Sequence, residues 1–345
     1  MARYAKAADI KVGVVGYGGA FNMGRQHLNE MKKAGMTPTA VVEIDQARLD
    51  VAKTDFPGIE TYQKVDQCLA SSKVDLLVLI TPHNTHAPLA LQILEAGKHV
   101  VCEKPFAVTT AECDAMIALA QKKSLMVSTY HNRHWDSWIL NAVKMIKGDG
   151  VIGEISRIEA HMGGYGKPGD WWRTSKSISG GILYDWGVHL LEYCLQLIDS
   201  DIVEVSGYAK KGFWGPQTKF KDDANEDEGK AVVRFASGQW IDLTITSLDA
   251  NPKRGMLEIT GTKGTFVIDW NNYELITPGE NGVTRIQRGP HGESQGHKLY
   301  ENVANHLVNG EKLVITPEWA RRPIHVLDLA DQSAKAGRAM AATYR

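Results

Sequence analysis

The chain has 345 residues, 43% hydrophobic and 23% charged, with a formal net charge of −1. That length allows two domains of ordinary size, and the near-neutral balance gives no electrostatic case for a nucleic-acid partner or an anionic membrane surface. No apolar run is long enough to span a membrane, Met1-Ala2-Arg3-Tyr4-Ala5-Lys6 lacks the apolar core of a signal peptide, and Cys68, Cys102, Cys113 and Cys194 show no paired spacing, so the expectation is reduced thiols in a cytoplasmic setting.

The first third alternates strand and helix signals. A β-branched run over 10–15 ends at Gly16, and a helical stretch follows to about 34. A second strand, 38–42, ends at Glu43. The run 75–80 is continuously apolar, as a strand covered on both faces should be. A helix over 88–96 ends at Gly97, which suits a helix C-terminus. A strand at 99–102, a helix at 110–122 and a strand at 125–130 close the series. Such alternation predicts parallel strands joined by right-handed helical crossovers.

The pattern then changes. A helix at 138–147 leads into strands at 155–161, 230–235, 240–247, 256–260 and 265–269, with tight turns between the later ones. Consecutive strands predict an antiparallel sheet, with a helix over 180–197 on one face and a last helix, 323–342, packed back on the body. The expected domains are therefore 1–130 and 131–345. The charged stretch 221–228 reads as a solvated loop rather than a metal site, and no metal is expected anywhere.

Gly16-Tyr17-Gly18-Gly19-Ala20-Phe21 follows the first strand and opens a helix. Gly16 permits a tight turn, Gly18 lets the backbone approach a pyrophosphate, and the helix N-terminus offers unpaired N–H groups. Phe21 stands where the third glycine of G-x-G-x-x-G belongs, with Gly24 further on. The acid ending the second strand, Glu43, suits an adenosine ribose and repels a 2′-phosphate, which favours NAD over NADP; Arg48 is the counterweight. Thr81, His83, Asn84 and His86 follow the third strand, where ligands of open α/β sheets sit. His83 and His86 have no nearby cysteine or acid and are poorly spaced for zinc.

Glu103-Lys104-Pro105 ends the buried run 99–102. A lysine after a buried strand is costly to desolvate, so its ammonium needs a partner or a task; in a dinucleotide enzyme the task is to polarise, or take the proton from, a substrate hydroxyl.

The glycine turn, Thr81-Pro82 with His86, Glu103-Lys104-Pro105, Asn132-Arg133, and Gly180-Gly181 with Asp185-x-Gly187-x-His189 occur together in this order. The chain resembles the glucose–fructose oxidoreductase / inositol dehydrogenase / rhizopine-catabolism (Gfo/Idh/MocA) family over nearly its whole length. The resemblance implies an α/β chain: an N-terminal Rossmann domain and a C-terminal α+β domain with a large, mostly antiparallel, open-faced sheet that makes a homodimer or homotetramer. It implies NAD(P)-linked oxidation or reduction of a carbinol carbon of a sugar, inositol or polyol. Lys104 and His189 carry over as the catalytic pair with Asp185 beside His189, and Ala20, Phe21, Glu103, Asn132 and Arg173 join the cofactor contacts. Asp185 and His189 are four apart, so a helix places them on one face. Glu192 departs from the family's commonest pattern, which has Asp after the histidine.

The loop from Gly163 to Arg173 carries two tryptophans and an arginine, and aromatic walls with hydrogen-bonding groups suit sugar rings. His161, Tyr165, Trp171, Trp172 and Arg173 are the substrate candidates beside Lys104, Asp185 and His189; Asp170, His131, His134, Trp135 and Tyr300 are weaker ones. An alternative within the resemblance is a glycoside hydrolase that uses NAD catalytically, through oxidation, elimination, water addition and reduction.

Overall fold

The computed structural model describes residues 4–19 and 22–343, so Ala20 and Phe21 lie outside the described residues. The chain folds into two compact units, 1–132 with 297–321, and 133–296 with 322–345.

In the first unit the elements run β1 (Lys11–Val15), α1 (Met23–Lys33), β2 (Thr37–Val42), α2 (Gln46–Asp55), β3 (Glu60–Tyr62), α3 (Val65–Ser71), β4 (Leu76–Leu79), α4 (His86–Glu95), β5 (His99–Cys102), α5 (Thr110–Lys123) and β6 (Val127–Thr129). The six strands are all parallel in the order β3-β2-β1-β4-β5-β6, with Val14 opposite both Val41 and Val78. That order reverses direction between β1 and β4, the crevice where doubly wound sheets bind nucleotides. Every residue of β4 and β5 is buried, which explains their unbroken apolar runs. Thr109 and Glu112 form a capping box that starts α5. Sequence reading missed β3, whose three residues are half-buried and show no periodic signal.

The second unit holds α6 (Ser137–Ala142), which runs on as π-helix over Val143–Gly148, then β7 (Ile155–Gly163), α7 (Lys176–Ser179), α8 (Leu183–Leu197), β8 (Ile202–Lys210), β9 (Glu228–Phe235), β10 (Trp240–Thr246), β11 (Leu257–Gly261), β12 (Thr265–Ile268), β13 (Asn272–Pro278) and β14 (Thr284–Pro290). The chain continues through α9 (Lys298–Asn309) and α10 (Pro317–Ala336) to β15 (Met340–Ala341). The nine-stranded sheet has the order β14-β13-β12-β11-β7-β10-β9-β8-β15, antiparallel except where β7 meets β10. Burial alternates along β9 and β10, with Val233, Ile241 and Leu243 inside and Lys230, Arg234 and Asp242 on the opposite face. Helix α8 lies on β10, and a Cβ at Gly187 would meet Leu243 Cδ2 at 3.2 Å, a close contact that the leucine side chain would have to relieve.

Three expectations change. The last helix starts at Pro317 rather than 323, with Pro323 inside it, and ends at Ala336, where a short strand follows. Residues 297–321, which include α9, group with the first unit. The stretch 221–228 is not a solvated loop. Asp227 is buried and accepts hydrogen bonds from the backbone N–H groups of Phe213 (2.8 Å) and Trp214 (2.9 Å), Glu226 pairs with Lys176, and Asp223 accepts from Ser177. Asp223, Glu226 and Asp227 are thus engaged locally; among the described residues no group of three or more His, Cys, Asp or Glu could hold a metal ion.

Candidate functional site

The first unit gathers its candidates at the carboxyl ends of β1, β2, β4 and β5. Gly16 sits directly after β1 at φ +94°, and a Cβ there would lie 2.9 Å from the Ile80 carbonyl oxygen, so only glycine fits this turn. A Cβ at Gly24 would lie 2.6 Å from Tyr17 Cα and 2.8 Å from the Gly16 oxygen. Gly24 therefore supplies the close packing of helix on turn that the third glycine of the motif provides elsewhere, two residues into α1. Spacing alone hid this; the signal was the glycine itself in an otherwise good helical stretch.

Glu43 is buried at the end of β2. One carboxylate oxygen accepts from the Tyr17 backbone N–H at 2.9 Å and the other from the Asp45 N–H at 3.1 Å. Arg48, on α2, reaches to 3.7 Å of the same carboxylate, and its Cδ lies 2.7 Å from where a Cβ on Gly18 would stand. Glycine turn, acid and arginine thus form one cluster.

The segment 81–86 follows β4. Its Thr85 hydroxyl donates to Thr81 Oγ1 at 2.6 Å. His83 and Asn84 lie in one 3-10 turn, and His83 is buried. His86 opens α4, fully buried, with Nδ1 2.8 Å from the Pro105 carbonyl oxygen and Nε2 2.9 Å from that of Thr81. Each ring nitrogen faces a backbone carbonyl, to one of which the neutral ring donates, and the ring bridges the loop after β4 and the loop after β5.

Lys104 sits in that second loop, and the Lys104–Pro105 peptide is cis. The Glu103 carboxylate accepts from the Lys104 backbone N–H at 2.9 Å and contacts His27 Nε2 at 3.0 Å. Burial opposes charge on Glu103, but the hydrogen bond from His27, with Lys104 nearby, outweighs it and holds the acid below its ordinary 4.5. Asn132 closes this unit in a short 3-10 turn, Asn132–Trp135. Tyr300 is fully buried and belongs to this unit, hydrogen-bonded to His27.

In the second unit α8 carries Asp185 and His189 four residues apart, with His189 buried and Asp185 more open. Arg173 Nε lies 3.8 Å from Asp185 Oδ1, and its guanidinium stacks 4.8 Å from the Trp171 ring and 4.9 Å from the Trp172 ring. The His189 ring lies 5.5 Å from that of Trp186, over which Arg133 also stacks at 4.9 Å. The structure thus brings Trp171, Trp172, Arg173 and Asp185 together.

His161 lies on β7 beside Asp249, with Nε2 3.4 Å from Oδ2; burial first, and Lys253, lower its pKa against the pull of Asp249. Tyr165 is exposed and joins an aromatic group with Trp214 (5.4 Å) and Phe213 (6.4 Å), two residues sequence reading passed over. Asp170 accepts from the Lys219 N–H, so its loop is stitched to the segment after β8. His134 pairs with the buried Glu192 at 2.5 Å, and Trp135 and His131 are buried. All four cysteines are free and buried, and no helix among the described residues is long and apolar enough to cross a membrane.

A parallel sheet in the order 3-2-1-4-5-6, with a glycine turn and a helix N-terminus at its switch point, defines a dinucleotide-binding protein. Family models agree: residues 10–131 match the oxidoreductase family with NAD-binding Rossmann fold, and 140–267 match the GFO/IDH/MocA C-terminal domain. The chain belongs to this NAD-binding oxidoreductase family. It is 35% identical over 191 residues to the uncharacterized oxidoreductase YdgJ of Escherichia coli, covering 55% of this chain and 54% of that one. It is 30% identical to a glucose-6-phosphate 3-dehydrogenase of Bacillus subtilis over 279 residues, 77% of each chain. The crystal structure of an NAD-binding protein from Listeria innocua superposes with a TM-score of 0.79 at 27% identity, covering 96% of this chain and 97% of that one. The matches to YdgJ and the three curated relatives beside it span 54%, 58%, 40% and 52% of those proteins.

The residues present fit the dinucleotide. Side chains are barred at Gly16 and Gly24, so the turn stays bare backbone packed close against the start of α1, and the Asn22 side chain does not cap that helix. The glycine turn and α1 would hold the pyrophosphate, and Glu43 with Arg48 would face the adenosine ribose.

Proposed function

We propose that this chain is an NAD-dependent dehydrogenase that oxidises or reduces a carbinol carbon of a sugar, inositol or related polyol. The observation that carries the reading is the double grip on the Lys104 loop, with Glu103 held by His27 from α1 and the Pro105 carbonyl held by His86 from α4. A lysine so fixed at the carboxyl end of a nucleotide-binding sheet is a preorganised cation for an oxyanion forming on a substrate carbon. A bound nicotinamide supplies the hydride acceptor. His189 takes the hydroxyl proton, and Asp185, steadied by Arg173, supports the imidazolium that results. Similarity to a glucose-6-phosphate 3-dehydrogenase supports a sugar hydroxyl as the substrate class. The carboxylate of Glu43 supports NAD over NADP. The face of the large sheet bearing Lys230, Arg234 and Asp242 is the proposed surface for a homodimer or homotetramer.

The test incubates purified protein with NAD and a panel of free sugars, inositols, sugar phosphates and glycosides, following NADH and products together. NADH appearing in step with a keto product supports the dehydrogenase. Cleavage of a glycoside with no net NADH replaces it with a redox-neutral glycosidase, and no reaction across the panel removes the substrate class.

A further inference from the structure

His27 lies on α1, the helix that begins at the dinucleotide turn, yet its ring points away from solvent and is fully buried. Its Nδ1 is 2.6 Å from the Tyr300 hydroxyl and its Nε2 is 3.0 Å from Glu103 Oε1. The other oxygen of Glu103 accepts the Lys104 backbone N–H. One tautomer satisfies every member: Tyr300 donates to Nδ1, the Nε2–H donates to Glu103, and Glu103 holds Lys104. The ring is packed edge-on against Tyr130 at 4.2 Å, so it has little freedom to rotate away.

We propose that His27 is a positioning residue for Lys104, acting through Glu103 and held in the required tautomer by Tyr300. The inference rests on the reading of Lys104 as the cation at the substrate oxygen. It adds that the helix following the dinucleotide turn and the lysine loop are tied together, because α1 carries His27.

The chemistry follows from what a carboxylate does when one donor is withdrawn. The ionisable groups around Glu103 are His27, Lys104, His86, Tyr130, Tyr300 and, through its hydrogen bond to Tyr130, Glu30. His27 Nε2 hydrogen-bonds one oxygen of that carboxylate at 3.0 Å. Without that bond the charge of Glu103 is less compensated, and the carboxylate turns toward Lys104, whose charge already acts on it. The ammonium is then drawn into an ion pair with that carboxylate and displaced from its working position.

The discriminating pair is His27→Gln and His27→Asn. A glutamine amide reaches the place of Nε2 and donates to Glu103; an asparagine amide reaches only the place of Nδ1 and does not. Two readouts are taken: steady-state kinetics on the substrate found in the panel, and the rate at which an acylating amine reagent labels Lys104 at pH 8, read by peptide mass spectrometry without any substrate. We expect His27→Gln to stay within about threefold of the parent, and His27→Asn to lose about ten- to a hundredfold in kcat with KM nearly unchanged. Lys104 labelling in His27→Asn should slow about three- to tenfold. Thermal midpoints of the two variants, measured alongside, should be similar. Equal labelling in parent, Gln and Asn forms overturns the proposal, as does a loss that follows thermal stability in both variants. If no substrate turns over, the labelling split alone decides, so the two readings fail separately. Should His27→Asn not fold, Glu103→Gln takes its place: labelling of Lys104 must then differ from the parent by at least about threefold, and an unchanged rate overturns the proposal.

Discussion

Arg173 reaches Asp185 with Nε 3.8 Å from Oδ1 while its guanidinium lies over the rings of both Trp171 and Trp172. The arginine is the link that ties the glycine-rich loop to helix α8. Asp185 is well exposed, so the ion pair itself is weak, and the stacking does more to fix the geometry. Lysine keeps the charge but loses the planar fork that stacks on two rings. Arg173→Lys should raise KM for the carbohydrate about tenfold while the dissociation constant for NAD stays unchanged. Fluorescence from the two tryptophans should shift in the same variant. An equal loss in NAD affinity would instead assign Arg173 to the dinucleotide.

The second prediction concerns cofactor choice. Glu43 is committed to the Tyr17 and Asp45 N–H groups, and Arg48 stands beside it at the open side of the cluster. The acid repels a 2′-phosphate and the arginine attracts one, so the two substitutions must move selectivity in opposite directions. Arg48→Ala should weaken NADP by about tenfold with NAD little affected. Glu43→Ala should narrow the preference for NAD and also cost about 1–3 kcal/mol of stability, because two backbone donors lose their acceptor. Titration of both cofactors against both variants, with a denaturant melt of each, checks the pair. NADP binding tighter than NAD in the parent would falsify the assignment made from Glu43.

A third prediction follows from His86. Burial lowers its pKa below the ordinary 6.5, more than its hydrogen bonds to Pro105 and Thr81 raise it. In the unfolded chain this histidine takes up a proton as pH falls through about 6.5, whereas the folded form resists. The unfolded state then binds more protons, so stability falls as pH drops below that value and is fully present above it. His161 is displaced the same way and adds to the slope. Thermal midpoints between pH 7.5 and 5.5 should decline, and His86→Asn should flatten the decline. A parent midpoint independent of pH over that interval would refute the account.

What was legible in the chain depended on how a residue acts. Strands β4 and β5 are buried throughout, so their apolar runs announced them; β3 and β14 are short or exposed, and nothing in their residues separates them from loops. Motif positions such as Gly16, Glu43 and Lys104 were visible because each needs one residue type at one place. Arg48 was legible as the counterweight to Glu43, and the structure puts it there. The other partners were not legible: His86 beneath Pro105, and Tyr300 on His27, 273 positions away in sequence, are contacts that tertiary packing creates. The same holds for Asp227, which sequence placed in a solvated run and which in fact closes a turn at Phe213 and Trp214. Gly24 was legible as an oddity and became meaningful only when the backbone it touches was known.

The last prediction separates Lys104 from His189. Lys104 ends the loop held by Glu103 and Pro105, so its removal should leave the glycine turn and Glu43 undisturbed. Lys104→Ala should therefore bind NAD within about threefold of the parent while turnover falls about 10²–10⁴-fold. His189 lies buried on α8 against Trp186, and as the base it must be unprotonated to act. Turnover in the parent should accordingly rise with pH through the titration of that group, and His189→Ala should abolish the rising limb while lowering the plateau. Measuring kcat across pH 5–9 for parent and both variants makes the division plain. If Lys104→Ala carries away the pH limb and His189→Ala leaves it intact, the lysine is the base and the histidine only orients the hydroxyl.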